Sequence, residues 1–426
     1  MRSLWAAGIG LWLAVVPLPT GAGAGAASDD PDRAAELRME TAIIAAIEAK
    51  YNLELRSEEP LRRAARDLNM VRATGLDVDP HEFLRQAFST QGVLDPFPYV
   101  FYGTAPAAKL DEFVGRLLVG FGELSGRERR LYTHVAAAVE TRSTRRNLIF
   151  RERKAWITIV LTQRSISFSP LPEIIVPGDR YAFEGEIHPP FREPEVLLTR
   201  PDGEVVTLNN LANEGTSFRC WLRFDAGHGE YQLEVLGRDD MGPRVLGLCS
   251  LYAQKDGKLS PHEQLMAAAR SGTLAAPAAH HAAVTDPLTD SEAEQRMLEL
   301  IARDRKRAGV SVLQSDPMLT AMARAHSRDM ADNDFFAHIS PRTGRLSERA
   351  ERIGLKYRRL TENIALHADV EEAEAALLRS PGHRSNLLDP EFTHVGVGVA
   401  TVTDKEGNLR VYVTQNFMIP WSAGSR

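Results

Sequence analysis

Two histidines and a glutamate, each beside residues that pin or break the backbone, are the part of this sequence best suited to chemistry. His338 lies in Phe336-Ala337-His338-Ile339-Ser340-Pro341, and His383 in Ser380-Pro381-Gly382-His383-Arg384-Ser385-Asn386-Leu387-Leu388. Glu362 falls between them, in Thr361-Glu362-Asn363-Ile364-Ala365. Two imidazole nitrogens and one carboxylate oxygen are the ligand set of an open zinc site, where a bound water becomes acidic enough for hydrolysis. The three are scattered and lack a His-Glu-x-x-His helix, so they support only a weak divalent-metal site, zinc or magnesium, held by His338, His383 and Glu362. A carboxylate that fixes an imidazole tautomer is also common without any catalysis. His326 shares a helix face with Leu319, Met322 and Ala323 and reads as a core histidine first and a site residue second. Asn363 reads as an amide that ties down its loop. Ser340, Ser380 and Ser385 are near the histidines, but none sits in a Gly-x-Ser-x-Gly elbow, and this region holds no cysteine.

These residues need elements to hold them. Ser291-x-x-Glu294 predicts a capping box for a helix with Met297, Leu300 and Ile301 on its apolar face. A second helix is expected from about Pro317 to Met330. A third is capped near Asp369, buries Val370, Ala373 and Leu377, and stops by Pro381. Strands are expected at Val395 to Val402 and Leu409 to Phe417, joined by a turn at Lys405-Glu406-Gly407-Asn408.

The run Leu319-x-x-Met322-Ala323-x-x-His326-Ser327-x-Asp329-Met330, then His338, Glu362-Asn363-Ile364, Ser380-Pro381-Gly382-His383-Arg384 and Thr414-Gln415-x-Phe417, resembles the bacterial branch of the CAP superfamily. That superfamily groups cysteine-rich secretory proteins, antigen 5 and pathogenesis-related proteins. The resemblance covers about residues 291–420 and implies an α-β-α sandwich with His338 and His383 facing one another across a central cleft. In eukaryotic members a second glutamate follows a tryptophan on the third helix. Leu377 and Ser380 stand at those positions here, which puts an inherited metal site and any inherited catalysis in doubt.

The rest of the chain supplies context. With 426 residues it is long enough for two or three domains, and a formal charge of −6 gives no basic footprint, so nucleic acid is not an expected partner. Met1-Arg2, the apolar stretch Leu4 to Val16 and the small residues Ala22 to Ala26 read as a signal peptide over residues 1–26. No later apolar run is long enough to span a bilayer, so the mature chain is expected to be exported, periplasmic or extracellular. Residues 33–168 read as helix-rich with closing strands, 171–255 as a small β-sandwich, 256–290 as a linker and 291–420 as the CAP-like domain, α+β as a whole. Cys220 and Cys249 fall in the sandwich segment and can form a disulfide in an exported protein or remain buried thiols.

An internal echo adds to this. Leu61-x-x-Ala64-Ala65 matches Leu319-x-x-Met322-Ala323, with Met39 and Ile43 ahead of the first as Met297 and Ile301 are ahead of the second. Tyr132-Thr133-His134-Val135 matches Phe392-Thr393-His394-Val395, and Thr162-Gln163 matches Thr414-Gln415. Residues 33–168 are therefore expected to be a degenerate CAP-like copy, with Leu68 where His326 stands and Ser125 to Glu128 replacing the segment around His383. Three functions follow from the whole. The first is a binding module in which His338, Glu362 and His383, supported by His326 and Asn363, engage a small apolar ligand, a lipid, a cell-envelope component or a protein partner. The second is a metal-assisted hydrolase of peptide or envelope polymer, and the third is a structural or interaction protein.

Overall fold

In the computed structural model the described residues are 31–421, except 77, 97, 119–120, 122–128, 146–150, 173–174, 209–214, 255–258, 272–287, 334 and 404–408. The expected signal peptide, His280 and His281 of the expected linker, the turn at 405–408 and Ser125 to Glu128 therefore lie outside the described residues. Helix and strand are mixed throughout, as an α+β chain requires.

The first unit has helices α1 (Pro31–Tyr51), α2 (Glu59–Ala73) and α3 (Pro80–Gln91), strand β1 (Tyr99–Pro106), helix α4 (Leu110–Leu117) and strands β2 (His134–Arg145) and β3 (Arg151–Thr162). The strands form an antiparallel sheet in the order β1-β3-β2. Successive side chains of a strand point to opposite faces, and β2 uses both. Val135, Ala137 and Val139 pack with Ile43 and Ile47 of α1, whereas Ala136 and Ala138 pack with Leu61, Ala64 and Leu68 of α2. The edge of β2 is closed by carboxylates from α1, as Glu40 accepts from the Val139 amide (3.1 Å) and Glu36 from the Thr141 amide (2.7 Å).

Two sheets sharing one core follow. The smaller joins β4 (Ile166–Phe168), β5 (Arg180–Ile187) and β8 (Ser217–Arg223). The larger has the order β10-β9-β6-β7, from β6 (Arg192–Thr199), β7 (Val205–Thr207), β9 (Gly229–Asp239) and β10 (Gly242–Ala253). Phe183, Phe218, Leu222, Tyr231, Leu233 and Leu251 fill the space between them. Cys220 and Cys249 are both buried in that core, and neither is bonded to the other. Of the two alternatives, a disulfide or buried thiols, the structure has the second: they serve as small apolar side chains, and burial pushes both thiols up to about 12.

Two expected boundaries shift. Ile166 to Phe168 pair with β5, so they belong with the second unit although the helix-rich segment was expected to run to 168. The expected linker contains helix α5 (Pro261–Ser271), whose Met266 and Ala269 pack into the core of the first unit.

The third unit begins with α6 (Asp290–Arg307). Its capping box is made by Thr289 and Glu292, two residues ahead of the expected pair, because Glu294 is needed elsewhere: it is buried, accepts from the Val399 amide (3.3 Å) and pairs with Arg324. Then come β11 (Gln314–Ser315), α7 (Pro317–Asp332), α8 (Leu346–Arg352), β12 (Tyr357–His367), α9 (Val370–Arg379), α10 (Pro381–Leu388), β13 (His394–Thr403) and β14 (Leu409–Pro420). The sheet order is β11-β13-β14-β12, with only the short β11 parallel to its neighbour. Helices α6, α9 and α10 cover one face through Met297, Ile301, Ala373, Leu377 and Leu387, and α7 covers the other through Leu319, Met322 and Met330. Among the described residues no helix is long and apolar enough to cross a membrane.

The motif Gly396-Val397-Gly398 is explained by the second face. Helix α7 crosses β13 so closely that a Cβ on Gly396 would enter the backbone of Leu319 and Thr320, and one on Gly398 the backbone of Ala323 and Arg324. Backbone cannot rotate away as a side chain can. Gly398→Ala is expected to lower stability by about 2–3 kcal/mol, read as a lower urea midpoint with unchanged slope; wild-type stability would show that the helix can lift off the strand.

Candidate functional site

Helix α7 starts where Asp316 accepts amide hydrogens from Met318 and Leu319 (both 2.9 Å) and Pro317 opens the first turn. That start places His326 on the buried face. Its Nε2 lies 3.1 Å from the carbonyl oxygen of Ala337, and since a carbonyl only accepts, Nε2 carries the hydrogen. Nδ1 is buried without a partner, so the ring is neutral, and burial pushes its pKa down to about 4.

His338 is held by its neighbours on both sides. The Ser340 hydroxyl donates to Asp329 Oδ2 (2.5 Å) and accepts the amides of Arg342 (3.0 Å) and Thr343 (2.9 Å), which folds the segment after the histidine into a tight turn. His338 Nδ1 donates to Glu362 Oε1 at 3.1 Å. The other carboxylate oxygen, Oε2, receives Arg349 Nη2 from α8, and Arg349 Nη1 donates to the carbonyl of His338 (3.0 Å). Glu362 is on β12, on the same sheet face as Ile364 and toward α7, with 6% of its surface exposed. Burial opposes its charge, but the His338 hydrogen bond and the Arg349 guanidinium outweigh it and hold the carboxyl below its usual range. His326 Nε2 is 3.8 Å from the same Oε1.

His383 is in the first turn of helix α10 rather than in an irregular segment past a helix end. Pro381 does stop α9, yet the same ring suits the first position of a new helix, and Ser380 caps it. His383 Nδ1 is 2.7 Å from Ser380 Oγ, and the ring is desolvated enough to push its pKa down to about 3, with His338 adding a smaller unfavourable charge effect. Asn363, on the opposite face of β12 from Glu362, donates to the His383 carbonyl (3.0 Å) and to Gln415 Oε1 (3.2 Å), and accepts from Asn386 (3.0 Å). It therefore ties α10 to the sheet. Thr414 and Gln415 are structural in the same sense, since Thr414 receives the Ser327 hydroxyl (2.8 Å) and Gln415 donates to the buried Glu374 (2.7 Å).

The structure thus joins His326, His338 and Glu362 directly. His383 stands across the edge strand, near enough to His338 to feel its charge. Among the described residues no group of three His, Cys, Asp or Glu side chains is placed to share a metal ion; both oxygens of Glu362 are engaged, one by a guanidinium, while His338 and His383 make their hydrogen bonds through Nδ1, which leaves Nε2 as the unprotonated nitrogen of each ring. Arg349 was not legible in sequence, since a basic residue in a short polar helix carries no motif. Glu234 of β9 was missed as well: it accepts from Ser380 Oγ and from the Gly382 amide, both at 2.6 Å. Its only signal is a charged residue within the apolar strand Tyr231-Gln232-Leu233-Glu234-Val235.

Residues 298–417 match the family described as "Cysteine-rich secretory protein family", or CAP. The chain is 40% identical over 113 residues to the "Uncharacterized protein YkwD" of Bacillus subtilis (strain 168), covering 26% of this chain and 44% of that one. It is 36% identical over 129 residues to the "Uncharacterized membrane protein YlbC" of the same organism, covering 30% and 35%. The chain thus spans less than half the length of either relative. Among solved structures, an extracellular protein containing an SCP domain from Bacillus anthracis str. Ames aligns over 60% of this chain and 67% of its own, at 21% identity and a TM-score of 0.27.

Two outcomes are expected from this geometry. Arg349→Met removes the countercharge of a buried carboxylate and should cost about 3–5 kcal/mol in chemical denaturation, whereas an exposed pair would register almost nothing. His326 and His383 stay neutral when folded but take up protons near the ordinary 6.5 once unfolded. Their stabilisation is therefore complete above that value and is lost as pH falls toward 4 and then 3. Glu234 and Glu374, raised to about 7 and 8 by burial, act in the opposite sense over the same window, so the histidine effect is read as a difference: between pH 7 and 4 the thermal midpoint of the wild type should fall relative to that of His383→Asn, and parallel profiles would show that His383 does not titrate on unfolding.

Proposed function

With residues 298–417 a CAP-superfamily domain, we propose that this chain is an exported binding module whose cleft, bordered by His338, Glu362 and His383, engages a small apolar ligand or cell-envelope component. The observation that carries the reading is the internal balance of Glu362. Its carboxylate is spent on Arg349 and His338, and His326 and His383 are neutral, so the cluster is arranged to hold a shape and offer hydrogen bonds rather than to activate water. Export is supported by the basic start and apolar stretch of the N-terminal residues.

The first unit fits a CAP-like copy that has lost this site. Support comes from the strand order β1-β3-β2 beside β12-β14-β13, and from parallel bridges Arg56 to His134 and Gln314 to His394. It comes also from hydroxyl-to-imidazole contacts in Thr133-His134 and Thr393-His394, and from carboxylates of the first helix on the edge strand, Glu36 and Glu40 beside Asp290 and Glu294. The register differs from the sequence echo: Ile43 corresponds to Met297 because the α1 to α2 connection is shorter, and Thr158, bonded to Asn69, corresponds to Thr414, bonded to Ser327. Leu68 then stands for His326 and Val100 for Glu362, leaving a scaffold, with the two-sheet unit as a β-sandwich spacer.

Sedimentation of the full chain with purified cell-wall polymer and with lipid vesicles tests the proposal, wild type beside His338→Ala/His383→Ala. One of the two should bind, and the double variant, with unchanged circular dichroism, should bind about tenfold more weakly. Histidine-dependent zinc binding accompanied by hydrolysis of the polymer would overturn it in favour of the metal-assisted hydrolase.

A further inference from the structure

The segments that carry both site histidines touch one hairpin of the second unit. At its tip, the Met241 carbonyl accepts the Ile339 amide at 3.0 Å, beside His338. Gly242 follows with a φ of +112°, and a Cβ built there would come within 3.1 Å of the His338 Cβ. Glycine is the residue that permits both the backbone angle and the approach.

Farther along the hairpin, β9 turns Tyr231, Leu233 and Val235 into the sandwich core, so Glu234 points out of the sheet. An outward carboxylate normally meets water, yet Glu234 is 0% exposed, because the start of α10 covers it. It accepts from Ser380 Oγ and the Gly382 amide. A Cβ on Gly382 would lie 3.1 Å from Glu234 Oε2 and 3.5 Å from Leu197 Cδ1, so this contact too is made through a glycine. Arg384 donates to the Gly203 carbonyl (3.4 Å) on the same side.

The Glu234 contact reaches the imidazole. When Ser380 gives its hydrogen to an ionised Glu234, its oxygen can only accept from His383 Nδ1, which fixes the tautomer of that ring. Glu234 itself has no cation partner among the described residues. Glu195 on β6 faces it with like charge, Leu248 lies opposite on β10, and α10 brings Ser380, the Gly382 amide, His383 and Arg384. Burial therefore pushes its carboxyl up to about 7 despite the two hydrogen bonds, so the contact is strong in geometry but costly in solvation.

We propose that the β9–β10 hairpin is a built-in cover of the cleft, latched by Glu234 onto Ser380 and Gly382, so that the cleft opens only when this hairpin is displaced. The cover follows from the contacts alone; that a ligand displaces it rests on the binding reading above. Cover and tautomer control come from one residue.

The test uses the full chain and reads hairpin position without any ligand, so its failure would leave the binding reading intact, and failure of ligand binding would leave the cover intact. Met241→Cys/Ile339→Cys should form a disulfide under mild oxidation, with Cys220 and Cys249 buried and unreactive. Carbethoxylation of His338 and His383, followed by peptide mass spectrometry, should be about tenfold or more faster in Glu234→Ala than in wild type and slower in the disulfide-locked form. Glu234→Gln keeps the volume and should change the rates in the same direction if the alanine variant does not fold. A folded double-cysteine variant that forms no disulfide, or equal histidine reactivity in wild type and the Glu234 variants, would overturn the proposal.

Discussion

The ion pair between Glu362 and Arg349 is the constraint on which the third unit is arranged. A carboxylate with 6% exposure is tolerable only with a countercharge and filled lone pairs, and Arg349 and His338 supply both. Arg349 also binds the His338 and Gly344 carbonyls, so one guanidinium fixes the helix it belongs to, the loop carrying His338 and the strand carrying Glu362. His326 stays neutral beneath them, donating to a carbonyl rather than to the carboxylate. What remains around Glu362 is a set of oriented hydrogen-bonding groups whose charge is already balanced.

That balance separates two uses of the same residue types. Histidines and a glutamate can hold a metal when their lone pairs converge and are uncommitted. Here both oxygens of Glu362 are committed, and the protein partners come from different elements, α8 for Glu362, the Ala337 carbonyl for His326 and Ser380 for His383 Nδ1, while Nε2 of His338 and His383 keeps its lone pair. The second unit extends the scheme, since Ser380 is itself oriented by Glu234. The CAP-superfamily domain and its neighbour therefore share one polar network, and the sheet face that carries Glu234 is as much a part of the site as the loops.

The elements were legible where their signals are local. Asp316-Pro317 and Ser380-Pro381 announce helix boundaries, and the apolar faces of α6, α7 and α9 repeat at helical spacing. The errors arose where a local signal had two outcomes. Ser291-x-x-Glu294 and Thr289-x-x-Glu292 are both capping patterns, and only the need for Glu294 at the edge of β13 decides between them. Pro381 ends one helix and opens another. Cys220 and Cys249 look the same in sequence whether bonded or merely buried. The site residues His326, His338, Glu362 and His383 were named from motifs, but Arg349 and Glu234 acquire meaning only through long-range packing, which no spacing encodes.

The central claim is that His326, His338 and His383 are each fixed by a hydrogen bond within the protein. Histidine-selective nitrogen NMR of the full chain tests it most directly. The account predicts an Nε2–H tautomer for His326 and Nδ1–H tautomers for His338 and His383. The opposite tautomer, or a mixture of the two, at any of these rings would contradict it.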